Sequence, residues 1–340
     1  MVRVGIIGAS GYTGAELLRL CAGHPDLAVE YATGDSQAGT GAAELYPSLA
    51  VAYPDLVFEA HDPARVHGLD LVFLGLPHEA SMALAPELVG KVGCVVDLSA
   101  AYRLKDASLY PRWYGFDHDQ PELLAEAVYG LPEIHRERLR GARLVATPGC
   151  YVTAATLALW PLLRAGLVEP TGIVVDAASG VSGAGRALKH TSLFCTVDED
   201  VTAYGLLDHR HTPEIEQNLG AQVLFTPHLV PMNRGILATC YARPVAGSSP
   251  STASLMAELT AAYAGEPFVA VRPEPPSTKA TLGSNSAQVT VRFDERTGWV
   301  IALCAIDNLA KGASGGAVQA ANVALGLPEA AGLSAVGLYP

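Results

Sequence analysis

Val2-Arg3-Val4-Gly5-Ile6-Ile7-Gly8-Ala9-Ser10-Gly11-Tyr12-Thr13-Gly14 is the stretch that decides the fold. Six mostly apolar residues of strand character run straight into three glycines spaced three apart. An amphipathic helical pattern follows over Ala15–Cys21 and stops before Gly23-His24-Pro25. A strand that empties into a glycine turn and then a helix is the opening of a βαβ unit. In such a unit the glycines let the backbone approach a pyrophosphate lying at the helix N-terminus. Gly8, Ser10, Gly11, Tyr12, Thr13 and Gly14 are therefore the expected dinucleotide contacts. The spacing is the Gly-x-x-Gly-x-x-Gly variant, not the commoner NAD form.

Outward from this stretch, strand-like runs recur at Ala28–Ala32, Leu69–Leu74, Gly93–Asp97 and Arg143–Ala146, with helical stretches between them. This alternation predicts an α/β, doubly wound parallel sheet of Rossmann type. Past the second strand the chain reads Thr33-Gly34-Asp35-Ser36-Gln37. Asp35 falls about 20 residues after the glycine turn, where an acidic residue bonds a ribose 2′-OH and favours NAD. Ser36 and Gln37 would suit a 2′-phosphate instead, but no arginine is adjacent, so these residues leave NAD and NADP open. Leu76-Pro77-His78 closes the third strand on the nicotinamide side. Pro77 is an expected cofactor contact, and His78 is either a ligand contact or a solvated loop residue.

After residue 150 the strand candidates lengthen and crowd together, at Gly172–Ala177, Gln222–Leu229, Gly235–Ala242, Ala287–Phe293 and Trp299–Ile306. Helical segments at 151–165, 213–219 and 251–264 are fewer. That pattern suits an α+β domain with a mostly antiparallel sheet. A last helix, about Ser314 to Leu325, would return to the first domain. The expected division is 1–147 plus 313–340 for dinucleotide binding and 148–312 for catalysis and oligomerisation.

Chemistry concentrates at the junction. Thr147-Pro148-Gly149-Cys150 puts one thiol behind a Pro-Gly turn at the start of a helix. The unpaired N–H groups and partial positive charge there favour a thiolate and could hold an oxyanion. Of the other cysteines, Cys94, Cys240 and Cys304 sit in apolar runs and Cys21 in a helix face. Together with Cys195 they show no Cys-x-x-Cys pair and no zinc-ligand spacing. His209-Arg210-His211-Thr212-Pro213-Glu214 precedes a helix, with Thr212 as expected N-cap and Pro213 first inside. In an extended segment His209 and His211 would share a side. No further ligand stands at metal spacing, so the pair is expected to supply an acid/base beside Cys150, with His209 the first choice.

Cations are candidates for anionic substrate groups. Arg103, in Asp97-Leu98-Ser99-Ala100-Ala101-Tyr102-Arg103, could clamp a phosphate or carboxylate. Arg186 ends the cradle Ser179-Gly180-Val181-Ser182-Gly183-Ala184-Gly185-Arg186. Arg234 lies between two strands. Glu214 is assigned to substrate, and Ser182, Gly183 and Asn308, the last within Asp307-Asn308-Leu309-Ala310-Lys311-Gly312, to cofactor.

Bulk properties set the outer limits. In 340 residues, 34 acidic against 22 basic side chains leave a net charge of −12, which speaks against nucleic acid as a partner. No uncharged apolar run reaches the roughly 18 residues of a membrane span. With a strand beginning at Val2 there is no sign of a targeting peptide, and a cytoplasmic location is expected.

Together these segments resemble the N-acetyl-γ-glutamyl-phosphate reductases, the arginine-pathway branch of the aspartate-semialdehyde dehydrogenase-like superfamily, from Val4 to near Pro340. Thr147-Pro-Gly-Cys150-Tyr-Val-Thr153 looks like that family's active-site signature. His209-Arg-His211-Thr-Pro-Glu-Ile215, Gly180-Val-Ser-Gly-Ala-Gly-Arg186 and Asp307-Asn-Leu-Ala-Lys-Gly312 match closely too. The resemblance implies NADPH-dependent reduction of N-acetyl-glutamyl 5-phosphate to the 5-semialdehyde and phosphate. It also implies Cys150 as nucleophile, the histidine pair as acid/base, and a homodimer or homotetramer built through the second domain's sheet; the missing ligand partners leave no metal expected. Two departures stand out. The family's Asp-Leu-Ser-Ala-Asp-Phe-Arg is here Asp97-Leu-Ser-Ala-Ala101-Tyr102-Arg103, and its Ser-Arg after the second strand is here Gly34-Asp35. Two rivals are a sister reductase of lysine or arginine biosynthesis, whose substrate rides on a small acidic carrier protein, and a non-catalytic nucleotide-sensing Rossmann protein.

Overall fold

In the computed structural model, which describes residues 1–340, the opening stretch forms strand β1 (Val2–Ile7) and a helix over Tyr12–Ala22. The helix begins three residues earlier than its apolar pattern suggests, because Gly11, extended at φ −79° and ψ 170°, is its N-cap. β2 (Leu27–Ala32), β3 (Leu71–Leu74), β4 (Cys94–Asp97), β5 (Val128–Tyr129) and β6 (Leu144–Ala146) complete a six-stranded sheet in the order β2-β1-β3-β4-β6-β5. Every pairing in it is parallel. β5 is two residues long, too short for its periodicity to show in the sequence. From β1 the chain crosses to β2 on one side and returns to β3 on the other. Such a reversal leaves a crevice at the carboxyl ends of the strands, where doubly wound proteins bind ligands.

The second sheet has seven strands: β7 (Ile173–Gly180), β8 (Thr202–Ala203), β9 (Val223–Val230), β10 (Ile236–Ala242), β11 (Val269–Val271), β12 (Ala287–Asp294) and β13 (Trp299–Ile306). Their order is β11-β12-β13-β10-β7-β9-β8. Four of the pairings are antiparallel, while β11 with β12 and β7 with β9 run parallel. The sheet is therefore mixed. One face, carrying Val175, Cys240, Ala302 and Val291 in register, packs in a single core with the Cys150–Arg164 and Thr252–Ala262 helices. The other face carries Val174, Leu224, Tyr241 and Ile301 side by side, only partly buried, with Leu224 51% exposed.

The chain falls into two compact units, Met1–Pro148 with Ala313–Leu333, and Gly149–Gly312 with Ser334–Pro340. The returning helix, Gly315–Ala324, is buried along its whole length, and Ala317, Val318, Ala320 and Ala321 join the core of the first unit. The last seven residues differ from the expected division. They are tied to the second unit, where Asn285 N–H donates to Ser334 O (2.7 Å) and Leu338 N–H to Leu282 O (2.8 Å). Backbone pairing of this kind leaves no trace in side-chain periodicity.

The Cys150–Arg164 helix is apolar all round because it is buried nearly all round. It carries Pro161, which has no N–H to give to Leu157 O four residues earlier. The hydroxyl of buried Tyr263 fills that gap, donating to Leu157 O at 2.7 Å. Tyr263→Phe is predicted to destabilise the protein by about 1–3 kcal/mol by stranding this carbonyl. A urea unfolding curve superimposable on wild type would sink that account.

Candidate active site

In the first unit, the glycine turn is held against the end of β2. Gly8 N–H donates to Thr33 Oγ1 (3.1 Å), Ala9 N–H to Thr33 O (2.7 Å) and Ser10 Oγ to Gly34 O (3.1 Å). Tyr46 OH donates to Ser10 O at 2.7 Å. Gly8 sits at φ 90°, and a Cβ there would lie 2.5 Å from Gly75 O, just past β3. Glycine is required where the two strand ends meet. At Gly14 a Cβ would meet Ala9 Cα at 2.4 Å, whereas at Gly11 the nearest atom would be 3.7 Å away. The protein does not crowd Gly11, so the room beside it suits a ligand. Tyr12 and Thr13 form the first turn of a helix that no side chain caps. Ser36 lies exposed in the Asp35–Gln37 turn, and Pro77 is the N-cap of the His78–Leu88 helix.

His78, read as either a ligand contact or a solvated loop residue, and Arg103, read as an anion clamp, both make hydrogen bonds inside the protein. His78 Nδ1 accepts the Ala100 N–H at 3.0 Å, which ties two loops together. Arg103 is buried, with Nε donating to Thr147 O (2.6 Å) and Nη2 to Leu98 O (2.8 Å). It braces the residue ahead of the Pro-Gly turn.

In the second unit, Cys150 is the first residue of its helix, after Gly149 (φ −66°, ψ 147°), and no side chain caps this end. The carboxylate of fully buried Glu214 accepts the Gly149 N–H at 2.9 Å. Glu214, expected at the substrate, thus holds the turn. Two neighbours require glycine. A Cβ on Gly149 would fall 2.5 Å from His211 Nε2, and one on Gly312 would fall 2.8 Å from Cys150 Cβ. Gly312 lies in a π-helical turn over Ala310–Ser314.

His209 and His211 do share a side, with ring centroids 4.8 Å apart, but through a turn and not an extended segment, since Thr212 N–H donates to His209 O (2.9 Å). The following helix starts at Thr212, so that His211 and not Thr212 is the N-cap. The His211 N–H donates to His209 Nδ1 at 3.1 Å, which leaves Nε2 to carry the proton of the neutral ring. Tyr151, Tyr204, His211 and Phe225 surround His209 at 4.8–5.7 Å between ring centroids. Burial in this aromatic box, assisted by Arg210, pulls the His209 pKa down to about 4. Tyr204 OH donates to Tyr151 OH (3.1 Å), which donates to His228 O (3.1 Å), and burial pushes the Tyr204 pKa up to about 12. Nothing in the sequence pointed to Tyr204, a lone aromatic in a loop.

Arg234 ion-pairs with fully buried Asp307 (2.9 Å). Asp307 also accepts N–H groups from Gly283 (2.7 Å), Leu309 (2.8 Å) and Ala310 (2.9 Å). Asn308 donates to Ser182 Oγ (3.0 Å) and accepts the Gly235 N–H (2.7 Å), so it fastens the Val181–Ala184 turn that contains Gly183. Arg186 lies exposed beyond that turn. Cys21 and Cys94 are buried with pKa values raised to about 12, and Cys240 and Cys304 are buried, so none of these four is poised as a nucleophile. Cys195 is exposed, in the first turn of the four-residue Phe194–Val197 helix. No helix is long and apolar enough to cross a membrane.

The two units correspond to two known domain families. Residues 3–142 match the semialdehyde dehydrogenase NAD binding domain, and residues 150–308 the semialdehyde dehydrogenase dimerisation domain. Among solved structures, aspartate semialdehyde dehydrogenase II from Vibrio cholerae shares the fold with a TM-score of 0.69 at 15% identity, covering 95% of this chain and 98% of that one. A probable aspartate-semialdehyde dehydrogenase from Pseudomonas aeruginosa gives 0.68 at 20% identity, covering 95% and 98%. The fold and its domains are thus those of a nicotinamide-dependent semialdehyde dehydrogenase. Within that class, proteins named N-acetyl-gamma-glutamyl-phosphate reductase from Pelobacter propionicus and Symbiobacterium thermophilum are each 50% identical over the whole of this chain, and cover 100% and 99% of their own length. One from Geobacter sulfurreducens is 48% identical, with full coverage of both chains. The chain belongs to the N-acetyl-γ-glutamyl-phosphate reductase family, a family of oxidoreductases.

Because the folded pKa of His209 lies below the ordinary 6.5, the unfolded chain binds the extra proton between those values. His209 therefore costs stability progressively as pH falls from about 6.5 toward 4. NMR titration should find its imidazole neutral down to about pH 4; a midpoint near 6.5 would contradict its enclosure.

Proposed function

We propose that this chain reduces N-acetyl-glutamyl 5-phosphate to N-acetyl-glutamate 5-semialdehyde with release of phosphate, in the cytoplasm, as a step of arginine biosynthesis. The relatives' names support the substrate. The observation that carries the chemistry is the seat of Cys150, at an uncapped helix start between Gly312 and the His211 ring that packs on Gly149.

Cys150 Sγ bonds to the γ-carbonyl carbon, and N–H groups of the helix's first turn receive the oxyanion. The C–O bond to the phosphate then breaks, phosphate leaves with the electron pair, and a thioester remains. An exposed cation such as Arg186 would draw off the phosphate. A reduced nicotinamide dinucleotide, when bound, supplies the hydride, and the resemblance implies NADPH. Gly8, Ser10, Gly11, Tyr12, Thr13 and Gly14, with Ser36 and Pro77, would hold it, and Ser182, Gly183 and Asn308 remain further expected cofactor residues. The resulting thiohemiacetal collapses to aldehyde as its C–S bond breaks and the thiolate returns. His211 suits the proton transfer better than His209, since a group with pKa near 4 stays unprotonated at neutral pH. His209 then orients His211 through the amide bond to its Nδ1. Glu214 holds Gly149, and the Arg234–Asp307 pair braces the loops around Gly283 and Leu309. A net charge of −12 offers no general basic surface for an acidic carrier protein, so the free acyl phosphate is favoured over a carrier-linked one. A pure nucleotide sensor has no use for this seat of Cys150.

The uncovered face of the second sheet, with Val174, Tyr241 and Ile301 on it, suits a second copy of the chain, making a homodimer or homotetramer. Ile301→Arg is expected to shift the particle mass in light scattering toward one chain, and an unchanged mass would move the interface elsewhere. For catalysis, phosphate-dependent oxidation of N-acetyl-glutamate 5-semialdehyde runs the reaction backwards. Cys150→Ser is expected to abolish it with dinucleotide binding intact, and His211→Asn to slow it by roughly 10²–10⁴. Substantial turnover by Cys150→Ser would refute the nucleophile assignment.

A further inference from the structure

The residues at the far end of β2 bear on which dinucleotide this chain takes, a question that rests on the cofactor reading above. Thr33 and Gly34 are bonded directly to the glycine turn, through Ala9 N–H to Thr33 O (2.7 Å) and Ser10 Oγ to Gly34 O (3.1 Å). Asp35 is the next residue. Its backbone is left-handed at φ 45° and its side chain exposed. The turn that presents it is locked. Gln37 N–H donates to Gly34 O (2.8 Å), Ala38 N–H to Asp35 O (2.9 Å), and Phe58 backs Gly34 so closely that a Cβ there would lie 2.7 Å from Phe58 Cβ. A carboxylate at the end of the second strand, beside the glycine turn, is placed to accept a ribose 2′-OH.

A 2′-phosphate would need a cation here, and none is supplied. From Glu30 to Val66 the chain carries Glu30, Asp35, Glu44, Asp55, Glu59 and Asp62 against one arginine, Arg65. Arg65 is taken up by Glu59 at 2.8 Å and lies over the Tyr31 ring. Arg3, the other arginine beside β2, is paired with Glu30 at 2.9 Å. Ser36 offers a hydroxyl but no charge.

We infer that Asp35 is the specificity-determining residue at the dinucleotide ribose. It accepts the 2′-OH of NAD(H) and opposes the 2′-phosphate of NADP(H), so that the chain binds NAD(H) at least as tightly as the phosphorylated form.

The test is calorimetric binding of NAD⁺ and NADP⁺, without substrate, to the wild-type protein, Asp35→Asn and Ser36→Arg. Asparagine keeps the left-handed backbone tolerable while removing the charge. Wild type is expected to bind NAD⁺ no more weakly than NADP⁺, with the difference shrinking at high salt. Asp35→Asn should tighten NADP⁺ about tenfold and leave NAD⁺ nearly unchanged, as expected for removing one charge near a solvated phosphate. Ser36→Arg should tighten NADP⁺ independently. A wild-type preference for NADP⁺ above tenfold, or an NADP⁺/NAD⁺ ratio that neither substitution moves, overturns the assignment of Asp35 while the oxidoreductase reading stands. Failure of wild type to bind either dinucleotide overturns the cofactor reading and this inference with it.

Discussion

The chain's passage from Thr147 into the Cys150–Arg164 helix is the constraint on which the rest of the site depends. A helix start exerts its field and its donors only over the first turn. The thiol is therefore useful only if that turn stands still and stays uncrowded. Arg103 grips Thr147 O ahead of the turn, and Glu214 holds the Gly149 N–H within it. The absence of a side chain at Gly149 and Gly312 leaves room for His211 and Cys150. Charged residues that look like substrate ligands in a linear reading thus also fix backbone. Such buried charge-assisted hydrogen bonds resist loss, because removing one partner leaves the other unsatisfied.

The histidine pair shows how enclosure divides labour between identical side chains. His209 is boxed by aromatic rings and spends Nδ1 on the backbone of its neighbour, so it stays neutral and fixed. His211, two residues on, lies against Gly149. Desolvation sets His209 apart, and the shared identity of the residues in the sequence hides that difference.

Much of the architecture was legible. The glycine turn after β1, the parallel βαβ alternation, the crowded strands after residue 150 and the helix start at Cys150 all announce themselves through short-range periodicity and turn chemistry. What could not be read were elements of two or three residues, such as β5 and β8, and the pairing of the last seven residues with the second unit. The placement of Tyr204 beside Tyr151 was equally hidden. These depend on contacts between positions distant in the chain, which leave no local pattern.

By itself the sequence determined the two-domain plan, the one cysteine behind a Pro-Gly turn at a helix start and the acidic surroundings of Asp35, because strand and helix periods, helix starts and charge counts are local properties. Only the tertiary structure decided what each polar side chain does. Arg103, Glu214, Asn308 and His78 are potential ligands in any linear reading. Each turned out to satisfy a hydrogen bond inside the protein, because buried backbone donors and acceptors must find partners wherever the fold brings them close.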